Sequence, residues 1–473
     1  MVRAHGPGGI VSDAGRPGHH RLGAAAALLA GAGLVGASGA HADATTLTVC
    51  PKGCGYAQIQ PAVDAASAGD TILVGPGRYA GGIVIATALT LSGAGPGATV
   101  ISGGGPVISV SASPVTIQAV SVTGGSTPAD GGGILNTGTL TVQDARIARN
   151  SAGGDGGGIA NDGPASPAAT PASLSLRRVT ITGNRSSGDG GGLANSGRGA
   201  AARVTGSTIS GNTAAQEGGG IANEARATLT LSSDSVAAGS AGDEGGGIDN
   251  SGAAMATVTG TTVDENTAAN GAGGISVQEG GSLLMANGTV RANNTPGSGG
   301  GIAIDGVYRH AQSTATITGT SISGNAADTG GGVELSLAAV TLTNDAIRVN
   351  SASTAGGGIA NDPDAQLALG DTSITRNTSA GAGGGISNVA AAALTNDSVN
   401  ANNAAGDGGG VFNGSGQIGL TDVYGTMTLD PGTSVSRNHA TAGGGIDVAA
   451  GTVGRNGATI AGNVPGNCQP ASC

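Results

Sequence analysis

A glycine triplet followed by one aliphatic residue punctuates this chain twelve times, from Gly131-Gly132-Gly133-Ile134 to Gly443-Gly444-Gly445-Ile446. The gaps cluster at about 27 residues, and one copy is degenerate, Gly271-Ala272-Gly273-Gly274 before Ile275. Between triplets the apolar positions alternate with polar ones. One copy runs Gly220-Ile221-Ala222-Asn223, then Thr228-Leu229-Thr230-Leu231, then Ser235-Val236. Alternation of that kind marks half-buried strands, and a fixed period marks stacked repeats. Three strands and three turns per repeat predict one turn of a three-sided parallel solenoid. Successive strand residues face opposite sides, so Ile221 and Asn223 point inward while Ala222 points outward. Asparagine fills that third position at Asn136, Asn161, Asn195, Asn223, Asn250, Asn361, Asn388 and Asn413; Val277, Ile304, Leu335 and Val448 replace it elsewhere. A slot accepting aliphatic or Asn predicts structural ladders, in which each amide bonds its copies in neighbouring coils. The glycines predict positive φ and close approach of successive backbones.

The fold class expected is all-β, a single-domain right-handed parallel β-helix of about 14 coils with a short N-terminal capping helix. Ile59, Ala62, Val63 and Ala66 share one helical face, and Gly69 is the stop. That helix would cover the open end of the column. The expected organisation is a signal peptide over 1–42, a cap and first coils over 43–125, repeats over 126–463 and a C-terminal cap over 464–473. Arg3, Arg16 and Arg21 ahead of a short apolar run, with Ala40-His41-Ala42 behind it, carry the targeting reading and an expected secreted or cell-surface location. No later stretch is apolar enough for a helical membrane span.

Composition narrows the classes. Gly 95 without Trp and with one Phe excludes an ordinary globular core, and the lack of a Gly-X-Y register excludes collagen. A net charge of −11 argues against nucleic acid, which needs a basic stripe. Cys50 with Cys54, and Cys468 with Cys473, are two close pairs suited to small end loops in an oxidising compartment. A monomer is expected.

Two stretches resemble known families. Ile or Val-x-x-Asn, as in Ile209 to Asn212, followed by Gly-Gly-Gly-Ile resembles the repeats of the polymorphic outer membrane protein family, with Ile or Val where that family favours Phe. Asp70-Thr71-Ile72-Leu73-Val74-Gly75-Pro76-Gly77-Arg78-Tyr79 resembles the start of parallel β-helix proteins of the pectin-lyase-like superfamily. The resemblance implies a fold that hosts lyases, hydrolases, adhesins and surface proteins alike.

Candidate chemistry lies on outward positions. Asp249, Glu334, Phe412 and Asp447 stand out after the motif aliphatics, but three coils separate Asp249 from Glu334, about 14 Å at the usual strand spacing. That is too far for paired carboxyls at one sugar linkage. The longer repeats carry their extra residues just after the glycine-rich strand. One such loop holds Tyr308-Arg309-His310 in the coil before Glu334: Tyr308 to stack on a sugar, Arg309 to hold a uronate, His310 or Glu334 to move a proton. Phe412 and Tyr424 are further aromatic ligand-binding candidates. Asp130, Asp155, Asp189, Glu217 and Glu244 form an acidic row four residues before the motif aliphatic, a candidate for calcium. The leading expectation is a structural, adhesive or glycan-binding role toward extracellular polysaccharide or a cell-surface glycan. The alternative is a polysaccharide lyase or glycoside hydrolase. Outward threonines such as Thr228 and Thr230 raise a third idea, ice or surface binding, but in sequence they hold no single column through every coil.

Overall fold

Each repeat folds as one coil, and its three strands pair in parallel with the same strands of the next coil. The structure is a computed structural model that describes residues 44–163, 170–307, 312–418 and 421–470. Three long parallel sheets of 16, 15 and 15 strands run its length. The result is the expected all-β parallel β-helix, about one coil longer than the sequence suggests. Ala44–Cys473 forms one compact unit.

The glycine sheet contains strands such as Ile221–Asn223, the threonine sheet contains Thr228–Ser232, and the third sheet contains Ser235–Ala237. A short fourth ladder, Ser240–Ala241 and its equivalents, links the third sheet back to the next glycine strand. Inward Ile, Val and Leu side chains from all three sheets form one continuous buried column. The helix Ile59–Ala65 closes the N-terminal end by burying Ile59, Ala62 and Val63. Beside it Cys50 and Cys54 are disulfide-bonded.

The inward asparagines form two ladders. In the glycine sheet each amide donates to the next side-chain oxygen, Asn136 to Asn161 to Asn195 to Asn223 to Asn250, at 2.7 Å per step. Val277, Ile304 and Leu335 occupy the same register, and the ladder resumes at Asn361. A second ladder closes the turn after the third sheet, running from Asn150 to Asn212 and again from Asn266 to Asn463. Burial removes these amides from water, and the neighbouring copy replaces it.

The glycine triplet works as a close-approach device. Gly218 has a φ of 64°, and a Cβ on Gly220 would lie 2.5 Å from the Gly247 carbonyl oxygen of the next coil. The chain at Gly218 also lies against the backbone of Ile221 and Ala222, so the turn before the strand folds across the strand's outer side.

The threonine sheet leaves its outer side uncovered, and register aligns what the sequence scatters. Thr46, Thr71, Thr90, Thr116 and Thr141 stack in five consecutive strands. After Ser175 and Arg203 the column continues as Thr230 and Thr257. Leu284 precedes Thr316 and Thr341, and Ala368 and Ala393 precede Thr428. Threonine thus holds ten places in a column spanning the 16-stranded sheet.

Candidate functional site

The corner between the glycine sheet and the threonine sheet accepts insertions, because a loop there leaves both strands and the core untouched. After Val411–Asn413 the insertion forms an antiparallel hairpin, Ser415–Ile418 with Thr421–Tyr424. Gly416 makes its position possible: a Cβ there would lie 2.7 Å from Pro363 Cγ and 3.4 Å from Val389 Cγ2. The hairpin therefore folds back over the corner loops of the two preceding coils. Phe412 lies between Ser387 and Asp447 on the glycine sheet, and its ring packs against Gly414 at the hairpin's base. Tyr424 leaves the hairpin 57% exposed.

Tyr424 lines a hollow of about 470 Å³ with Asp364, Gln366, Ala391, Asp422 and Thr426. Gln366, Ala391 and Thr426 also line a larger trough of about 870 Å³ over the outer side of the threonine sheet. The two spaces adjoin through these three shared residues. Thr316, Thr341 and Thr428 supply hydroxyls along the trough, Gln366 an amide, and no ionisable side chain lines it. An aromatic ring beside an open trough of mixed threonine and alanine side chains is suited to holding sugar rings.

The outward carboxyls occupy a different setting. Asp249 and Glu334 face the outer side of the glycine sheet, as expected, yet are 0% and 3% exposed. The glycine turns fold across them; a Cβ on Gly330 would lie 2.6 Å from Glu334 Cβ. Register separates the two by three strand steps, through Ser276 and Ala303. Burial pushes the Asp249 carboxyl up to about 8, although Ser251 and Gln278 both donate to it.

Glu334 joins two groups that the sequence reading missed. Burial, then the charge of Asp305 and Asp362, holds its carboxyl well above the usual range. Burial raises Asp305 to about 7 and Asp362 to about 6. Asp305 and Asp362 act on the Glu334 carboxyl through their charge, and its Oε2 atom is buried without a hydrogen-bond partner among the described residues. The signal was present three places after the motif aliphatic, in Ile302 to Asp305 and Ile359 to Asp362.

The acidic row binds backbone. Asp130 accepts the Asp155 N–H at 2.7 Å, Asp155 that of Asp189 at 2.8 Å, and Asp189 that of Glu217 at 2.7 Å. Burial, then Asp249 and the other carboxylates, raises Glu217 to about 9. Glu244 accepts from Ser276 at 3.1 Å. Among the described residues no group of three or more His, Cys, Asp or Glu is arranged to hold a metal ion. Tyr308, Arg309 and His310 lie outside the described residues, as does Cys473, while Cys468 is disulfide-bonded. No helix among the described residues is long and apolar enough to cross a membrane.

No protein-family model matches this chain, and no characterised protein matches it by sequence, so the likeness to polymorphic outer membrane proteins stays one of motif. Among solved structures, the A-module of the mannuronan C-5 epimerase AlgE6 of Azotobacter vinelandii is 16% identical, with 79% of this chain and 93% of that one covered and a TM-score of 0.37. The catalytic domain of a GH87 α-1,3-glucanase is 16% identical, covering 88% and 68%, with a TM-score of 0.37. A pectin methylesterase from Aspergillus niger is 13% identical, covering 58% and 84%, with a TM-score of 0.33. At such scores the likeness adds nothing to the strand pairing, which by itself defines the fold as a parallel β-helix.

Proposed function

We propose that this chain is a secreted or cell-surface β-helix that binds an extracellular glycan in the trough beside Tyr424. One observation supports the reading: the most exposed aromatic ring among the described residues lines, with Asp364 and Asp422, a hollow that shares Gln366, Ala391 and Thr426 with an uncharged trough bearing threonine hydroxyls. Asp364 and Asp422 beside the ring can accept bonds from sugar hydroxyls, and they disfavour a polyanion. Neutral sugars therefore fit better than uronates. The test is titration of neutral and acidic oligosaccharides against the protein and its Tyr424→Ala variant. Binding of a neutral oligosaccharide, weakened at least tenfold in the variant, is expected. Equal binding by both proteins would remove Tyr424 and the trough from the role.

A second reading, cleavage of a glycosidic bond, is favoured by Asp305, Glu334 and Asp362, whose different affinities for protons suit an acid and a base. Burial of Glu334 counts against it. Release of reducing or unsaturated ends by the wild type, abolished in Glu334→Gln, would establish it.

A further inference from the structure

The trough occupies the C-terminal half of the threonine sheet, but the uncovered side of that sheet extends through all 16 strands. We infer that this side, from Thr228 to Gly454, is a docking surface for the ordered face of an insoluble, uncharged polysaccharide, with the Tyr424 trough as one end of it. The inference rests on the glycan reading of the trough and adds the physical form of the ligand.

Register supplies the first argument. Threonine recurs in one column at the strand spacing of about 4.8 Å, and a neighbouring outward column lies about 6.6 Å away along each strand. Thr228 stands beside Thr230, Thr314 beside Thr316, and Thr426 beside Thr428 in those two columns. Parallel pairing without register shift keeps these hydroxyl and methyl groups in rows. A single flexible chain gains little from such rows. A solid with its own repeat can meet many of them at once, so weak contacts add without a separate ordering cost for each.

Charge supplies the second. The chain carries a net −11, yet from Thr228 to Gly454 neither column holds a charged side chain. An acidic solid would be repelled by the remainder of the molecule and offered no cation here. A neutral one loses little on contact.

Continuity supplies the third and separates polysaccharide from ice. The hairpin and the Tyr424 ring rise at the edge of this face and share Gln366, Ala391 and Thr426 with it. A wall with an aromatic ring obstructs a flat ice plane and grips the edge of a sugar polymer.

The test compares adsorption to microcrystalline cellulose and to chitin with binding of the soluble oligosaccharides of the same sugars. A Thr230→Arg, Thr257→Arg variant places charge outside the trough, three and two strand steps before Thr316, and Arg203 in the preceding strand shows that the column accepts the side chain. Thr230→Ser, Thr257→Ser retains the hydroxyls, and circular dichroism checks both folds. Adsorption of the wild type to one of these solids is expected, reduced at least tenfold in the arginine variant, near wild type in the serine variant, with soluble binding unchanged in both. Unaltered adsorption of the arginine variant overturns the inference, as does adsorption to ice alone or to neither solid. Soluble binding that depends on Tyr424, without adsorption to either solid, overturns this inference and leaves the trough reading standing. Adsorption sensitive to the arginines, without any soluble binding, overturns the trough reading instead.

Discussion

Asn195 donates from its side-chain amide to the Asn223 side-chain oxygen at 2.7 Å, from one coil to the next through the buried column. Asn223 in turn donates to Asn250 and to the Met255 carbonyl. Asn223→Leu has the shape that Leu335 already takes in this register, but it strips partners from amides on both sides. A loss of about 1–3 kcal/mol is expected for each buried polar group left unpaired. Chemical denaturation of the variant beside Leu335→Val, which removes only a methylene and is expected to cost about 1 kcal/mol, checks that the larger loss comes from polarity.

Close approach of backbones gives a sharper contrast. Gly220→Ala would place a Cβ 2.5 Å from the Gly247 oxygen, whereas at Gly370 the nearest atom is Thr343 Cγ2 at 4.0 Å. The first substitution is expected to cost about 3 kcal/mol or more, since backbone on both sides must move. The second is expected to stay within about 0.5 kcal/mol. Thermal melts of both variants measure the difference.

Buried carboxyls set the pH dependence. Burial holds Glu224 and Asp249 near 8, Asp305 near 7 and Asp162 near 6, each above its unfolded value. The folded chain therefore binds more protons than the unfolded one above about pH 4. Stability is largest at acidic pH and falls as pH rises through 6 to 8. Asp249→Asn and Glu334→Gln keep the shape without the ionisation, so their melting temperatures are expected to fall less between pH 5 and pH 9 than that of the wild type. A wild-type melting temperature that rises over this range would contradict the assignment.

Hairpin placement can be separated from hairpin presence. Gly416→Val would drive a side chain into Pro363 and lift the strand pair, moving Tyr424 without deleting it. Neutral oligosaccharide binding is expected to weaken about tenfold with the melting temperature nearly unchanged, as titration and calorimetry would show.

Period and alternation made the solenoid legible, because Ile221 and Asn223 cannot both face inward unless the chain there is a strand. Local pattern also located the helix at Ile59. What stayed hidden depended on register. The threonine column is invisible along the chain because unequal corner loops shift Thr141, Thr230 and Thr316 out of any fixed period. Glu334 was found, but its partners Asp305 and Asp362 occupy a different offset, and only stacked coils bring the three carboxyls together. Its burial was hidden too, because outward on a strand reads as solvated until the glycine turn is seen to cross it. Tyr424 stood out for its rarity; its neighbours Gln366 and Thr426 come from separate coils.

The insertion-tolerant corner at Gly414 makes the molecule a rail with interchangeable fittings. Since the two strands flanking the hairpin keep their partners whatever joins them, a different peptide grafted between Asn413 and Thr426 would inherit the same vantage point over the neighbouring sheet. Binding preference can change by exchange of one short segment while the mechanical body is inherited intact.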